Sequence, residues 1–107
     1  MGTLSTHVLD TAIGRPAEGL EIVLTQSGKE LGRGTTNADG RVGVIGPGQL
    51  APGDYVLTFD TAGYFRASGQ VGFYPTVSIT FTIVEGAGHY HVPLLLQPYG
   101  YATYRGS

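Results

Sequence analysis

The chain has 107 residues, 41% of them hydrophobic, with six Lys and Arg against eight Asp and Glu, a net charge of -2 and no cysteine. This balance offers no basic face to nucleic acid and no polybasic patch to an anionic membrane, and no apolar run approaches the ~20 residues of a spanning helix. Disulfide staples, thiolate zinc sites and a cysteine nucleophile are excluded, and one domain over residues 1–107 with its own core is expected. Patterned residues begin at Leu4, too early for the charged and apolar regions of an export signal, so the expectation is a soluble, cytoplasmic chain with no nucleic-acid or membrane partner.

Eighteen glycines and six prolines punctuate short β-branched and aromatic runs, the pattern of an all-β fold. Residues 4–10 read as the first strand, with Ser5, His7 and Leu9 on one face. Residues 21–27 form a second, with Ile22 and Leu24 together, and residues 30–36 a third after a Ser27-Gly28 hairpin turn. Asn37-Ala-Asp-Gly40 is a turn that delivers Arg41 in a defined direction into a short extended stretch, 41–45. Residues 54–60 alternate Tyr55, Leu57 and Phe59 against Val56 and Thr58. Residues 61–68 are the one plausible helix, about two turns long, with Asp60 or Thr61 as N-cap and Gly69 as the C-terminal stop.

Residues 77–84 are the clearest strand, with Val77, Ile79, Phe81 and Ile83 on one face. In the strand over 89–96, His89, His91, Pro93 and Leu95 share one face and Tyr90, Val92, Leu94 and Leu96 the other. Both faces look covered, which predicts a core on one side and a partner or a pocket on the other. Pro93 has no N–H to give, so it should stand where the sheet is not paired through that atom. The closing Tyr104-Arg-Gly-Ser107 is rich in hydrogen-bonding groups where a terminus would ordinarily fray, which suggests a tail held down against the molecule.

All three histidines, His7, His89 and His91, fall on strands. Two imidazoles at i and i+2 with a third from another strand could hold zinc, yet no acidic residue lies on the histidine faces to complete or orient such a site. The plainer alternative is surface or hydrogen-bonded strand histidines. Arg41 could clamp an imide or carboxylate bidentately, or simply pair with Asp39 or Glu30 at the turn. No Gly-x-Ser-x-Gly elbow or phosphate-binding loop is present, and Tyr99, Tyr101 and Tyr104 read as packing residues rather than a base-stacking platform.

Leu4-Ser-Thr-His7-Val-Leu-Asp10, Asn37-Ala-Asp-Gly-Arg41 and His89-Tyr-His-Val-Pro-Leu-Leu-Leu96 running into Tyr104-Arg-Gly-Ser107 together resemble the transthyretin-related 5-hydroxyisourate hydrolase family, over essentially the whole chain. The resemblance implies an all-β, transthyretin-like two-sheet sandwich of about eight strands with one short helix. It also implies a homotetramer with active sites at the dimer-dimer interface, a small-molecule substrate, 5-hydroxyisourate, and neither metal nor cofactor. In that family the functional positions correspond to His7, Arg41, His91 and Ser107 for catalysis, and to His7, Arg41 and Tyr104 for substrate binding. Gln97 and Ala102, where serine is frequent, and Gly86-Ala-Gly88, where a more acidic turn is usual, depart from the pattern away from those positions. The rival reading within the same fold is a carrier of a small aromatic ligand in the tetramer channel.

Overall fold

Alternation of apolar and polar residues settles which face of each strand is buried, and two such faces close on each other here. The computed structural model describes residues 2–86 and 88–106. Among them run β1 (Thr3–Asp10), β2 (Arg15–Pro16), β3 (Glu21–Gln26), β4 (Lys29–Thr35), β5 (Arg41–Val42), β6 (Gly53–Phe59), α1 (Thr61–Ala67), β7 (Val77–Ile83), β8 (His89–Gln97) and β9 (Gly100–Thr103). One sheet has the order β2-β1-β8-β9 with β5 also paired to β1, and the other the order β4-β3-β6-β7. Their inner faces meet in one core, in which Leu4, Val8, Leu94 and Leu96 oppose Ile22, Leu24, Leu57 and Phe59. Each such side chain, fully withdrawn from water, is worth about 1.5–3 kcal/mol.

The alternation expected for the strands over 54–60, 77–84 and 89–96 holds except at Pro93, which is buried on the outer face, and Phe81 is half-buried at the edge of its own face. The Ser27-Gly28 turn is present with φ of 51° and 78°, the doubly left-handed geometry of a type I′ hairpin, so β4 starts at Lys29, opposite Gln26. Asp60 caps α1 by accepting a hydrogen bond from the Gly63 N–H at 3.0 Å, and Gly69 follows at φ 74°.

Three features differ from the strand pattern read above. The stretch 41–45 pairs only through Arg41 and Val42, because Ile45 turns into the core and donates its N–H to the Leu4 carbonyl. Arg15–Pro16 and Gly100–Thr103 add strands that no alternation announced, which gives nine among the described residues instead of about eight. They are ladder partners of β1 and β8, so they are defined by what lies beside them rather than by their own pattern. Pro93 falls between the Leu94–Thr103 pair and the His91–Gly106 bridge, and its carbonyl accepts from the Thr103 hydroxyl, so no ladder bond is lost at its nitrogen.

Candidate active site

The pairing of β1 with β8 is parallel, and it sets Thr3 opposite His89, Ser5 opposite His91 and His7 opposite Pro93. Partners in register point to the same side of a sheet, so the odd-numbered residues of both strands share its outer face. β5 lies antiparallel on the other flank of β1 and sets Arg41 opposite His7. Three segments far apart in the chain therefore bring His7, Arg41 and His91 to one patch. The imidazole centroids of His7 and His91 stand 6.4 Å apart with their planes inclined by 33°.

Arg41 owes its direction to the turn before it. Asn37 Oδ1 accepts from the Asp39 and Arg41 N–H groups, and the Asn37 N–H donates to the Arg41 carbonyl. Gly40 then adopts φ 74° and lies so close to the Val8 carbonyl that a Cβ would collide with backbone. We expect Gly40→Ala to destabilise the fold by about 1–3 kcal/mol, seen as an earlier thermal midpoint. Glu30 does not engage Arg41: it pairs with Arg33 at 2.6 Å.

His91 is half-buried, and its imidazole is held below its ordinary pKa of 6.5, first by burial and then by the charges of Arg41, His7 and His89. The neutral form is thus kept where a free imidazole would take up a proton. The native ring binds its proton less readily than the unfolded one, so this group favours folding more as pH rises through the interval just below 6.5 and opposes it on acidification. Removing one of the responsible charges with Arg41→Gln should raise the His91 titration midpoint, a shift readable by NMR of the ring protons.

The tail reaches the same residue. The Gly106 N–H donates to the His91 carbonyl at 2.8 Å, and a Cβ on Gly106 would stand 2.6 Å from His91 Cδ2. Any larger residue at 106 would have to push that ring aside. Arg105 places its guanidinium 4.4 Å above the Tyr90 ring. Tyr104 is exposed and, with Arg105, lines an open groove between the sheet edges against Ile79, Phe81, Tyr90 and Val92, two residues ahead of the Gly106 contact. Ser107 lies outside the described residues. Among the described residues no three His, Asp or Glu side chains converge as metal ligands, and His89 is turned instead toward Thr3 and Ser5.

Two polar residues of this face received no role from sequence reasoning. Ser5 Oγ lies 2.7 Å from both His89 Nε2 and His91 Nδ1, and Thr3 Oγ1 lies 2.5 Å from His89 Nδ1. Alternation did put Ser5 on the face of His7, but its partnership with His91 depends on a strand pairing that spans most of the chain. His91 Nδ1 is engaged by Ser5, which leaves Nε2 as the ring nitrogen available to the site.

Two sheets closed on one core, with a single short helix among the described residues, make a transthyretin-like architecture. The profile of the HIUase/Transthyretin family matches residues 4–106, and the chain belongs to that family. It is 50% identical over 111 residues to the 5-hydroxyisourate hydrolase of Mus musculus, covering 97% of this chain and 94% of that one. The Klebsiella pneumoniae 5-hydroxyisourate hydrolase superposes with a TM-score of 0.91 at 40% identity, over 98% of this chain and 99% of its own. Sea bream transthyretin, solved in complex with thyroxine, superposes with a TM-score of 0.89 at 29% identity, over 96% and 93%.

Proposed function

We propose that the chain, a single domain over residues 1–107, is a 5-hydroxyisourate hydrolase that opens the six-membered lactam ring to 2-oxo-4-hydroxy-4-carboxy-5-ureidoimidazoline in urate degradation. The observation that carries the reading is the meeting of His7, Arg41 and His91 on one sheet face, in a chain half-identical to a hydrolase of that name. Attack of water on an amide carbonyl needs a base, a proton donor for the leaving nitrogen and a group that steadies negative charge. His91 suits the first role, because burial and Arg41 keep its ring neutral and Ser5 leaves Nε2 toward the site. His7, across the 6.4 Å gap, donates to the leaving nitrogen. Arg41 holds the ureide edge and the charge that develops on oxygen.

In this reading Ser107 belongs to the orientation of water and Tyr104 to substrate binding, although within one chain Tyr104 lines the groove on the Tyr90 and Val92 side of β8 and not the His91 patch. The Gly106 contact brings the tail onto His91. His7 and His91 are half-buried and Arg41 is exposed on an outer sheet face, so a further copy of the chain is needed to wall the site off from bulk water. A homotetramer with the sites at the dimer-dimer interface supplies that wall. No helix among the described residues is long and apolar enough to cross a membrane. A cytoplasmic location completes the reading, one that a cysteine-free fold permits.

The test follows the ultraviolet decay of freshly prepared 5-hydroxyisourate with and without the protein. Decay accelerated in proportion to protein concentration supports hydrolysis. Decay at the uncatalysed rate overturns it, and tight binding of an aromatic ligand in the same sample would identify a carrier.

A further inference from the structure

The mechanism above leaves His89 unused, although both of its ring nitrogens are engaged. Thr3 Oγ1, His89, Ser5 Oγ and His91 form one continuous chain, with separations of 2.5 Å from Thr3 to His89, 2.7 Å from His89 to Ser5 and 2.7 Å from Ser5 to His91. At one end His91 is half-buried against the site, and at the other His89 is exposed. The Ser5 hydroxyl between them is itself buried.

A serine hydroxyl has one proton, so with two imidazole nitrogens in reach it donates to one and accepts from the other. The chain therefore has two fully partnered senses. In the first, His91 Nδ1–H donates to Ser5, Ser5 donates to His89 Nε2, and His89 Nδ1–H donates to Thr3, so that His91 presents a bare Nε2. In the second every donation is reversed, and His91 presents Nε2–H. The groups facing His91 are His7 from β1, Arg41 from β5, His89 from its own strand and the Gly106 backbone. The positive charge of Arg41 favours a lone pair over an N–H on the open side of the ring, which selects the first sense.

We propose that His89 and Ser5 are positioning residues that hold His91 in its base-competent tautomer and carry its proton to solvent. This rests on His91 acting as the base of the hydrolysis proposed above. Opening an amide to an ionised carboxylate and an N–H releases one proton at neutral pH, because the new acid ionises well below 7. His91 Nε2 takes the first proton from water. Its Nδ1 proton then passes to Ser5 Oγ as the Ser5 proton passes to His89 Nε2, and exposed His89 sheds its Nδ1 proton to water. His7 has meanwhile given its proton to the leaving nitrogen, and the second proton of the attacking water, left on the product acid, restores it. One proton leaves per turnover and no charge stays beside Arg41, but the transfer leaves the chain in its second sense. Once product departs, His91 gives up its Nε2 proton to water entering the site, while His89 takes one from solvent at Nδ1 and returns its Nε2 proton through Ser5 to His91 Nδ1, which restores the first sense.

The experiment compares wild type with Ser5→Ala, His89→Gln and Ser5→Thr. In the first two kcat should fall by about 10- to 10²-fold with KM little changed, and added free imidazole should restore part of the rate by accepting the proton directly. Wild type should ignore the added imidazole. Ser5→Thr keeps the hydroxyl and should keep the rate. A full rate in Ser5→Ala, or a loss that imidazole does not repair, overturns the relay. Ring nitrogen NMR reads the same wiring without substrate. His91 should carry its proton on Nδ1 in the wild type and lose that preference in Ser5→Ala, and an unchanged tautomer overturns the proposal. If wild type fails to hydrolyse 5-hydroxyisourate, the functional reading falls and the NMR result alone decides the relay.

Discussion

Replacing His91 by alanine is expected to lower kcat by about 10² to 10⁴, the range that a positioned acid-base group supplies, while the fold persists. The ring is half-buried on the outer face, so its removal opens space toward solvent rather than a void in the core. His7→Ala should cost a loss of the same order. The double variant should lose little more than either single one, because a base and a donor serving one bond act as a unit. Circular dichroism should match wild type, and treatment with EDTA should leave wild-type turnover unchanged. A rate lost to chelator and recovered with zinc would instead require imidazoles acting as metal ligands. A His91→Ala protein with full kcat would remove the base assignment altogether.

The largest expected effect on stability lies on the other side of β1. Asp10 is fully buried, and its carboxylate accepts from the Tyr64 hydroxyl at 2.6 Å, the Gln70 amide at 2.9 Å, and the Ala12 and Ile13 N–H groups at 3.0 and 3.4 Å. These four donors tie the end of β1 to α1 and to the segment after it. Burial, with the Asp10 carboxylate beside it, pushes the Tyr64 phenol well above its usual range, so that phenol remains a donor at every working pH. Asp10→Ala removes every acceptor at once and leaves the Tyr64 hydroxyl unpaired in the interior. The expected cost is about 3–5 kcal/mol, a large share of the 5–15 kcal/mol that holds a protein of this size together. Tyr64→Phe deletes one donor of four and should cost about 1–2 kcal/mol. Urea denaturation midpoints check both, and an Asp10→Ala midpoint close to wild type would show that water replaces the carboxylate.

Much of the fold was legible in local pattern. The period-two alternation over 54–60, 77–84 and 89–96 identified the buried faces, because a half-buried strand must alternate to satisfy water on one side and a core on the other. The Ser27-Gly28 and Asn37-Ala-Asp-Gly40 turns were readable because few residues tolerate a left-handed backbone. Within the extended stretch 41–45 only Arg41 and Val42 pair as a strand, because Ile45 turns into the core, and no alternation within five residues reveals that. Strands β2 and β9 were not visible at all, since two to four residues beside a ladder carry no periodicity of their own.

For the site, the sequence by itself determined the chemical repertoire: three histidines on strands, an arginine aimed by a tight turn, no thiol, and faces assigned by alternation. The family pattern could single out His7, Arg41 and His91. Only the tertiary structure decided that they meet, because the parallel register of β1 on β8 joins residues more than eighty positions apart and β5 closes the other flank. That register also set Ser5 between His89 and His91 and so made a hydrogen-bonded chain of groups that look unrelated along the sequence. Alternation fixes which side of its own strand a side chain faces. Which side chain of another strand it meets there is set by how the backbone ladders align, and that is a property of the folded sheet.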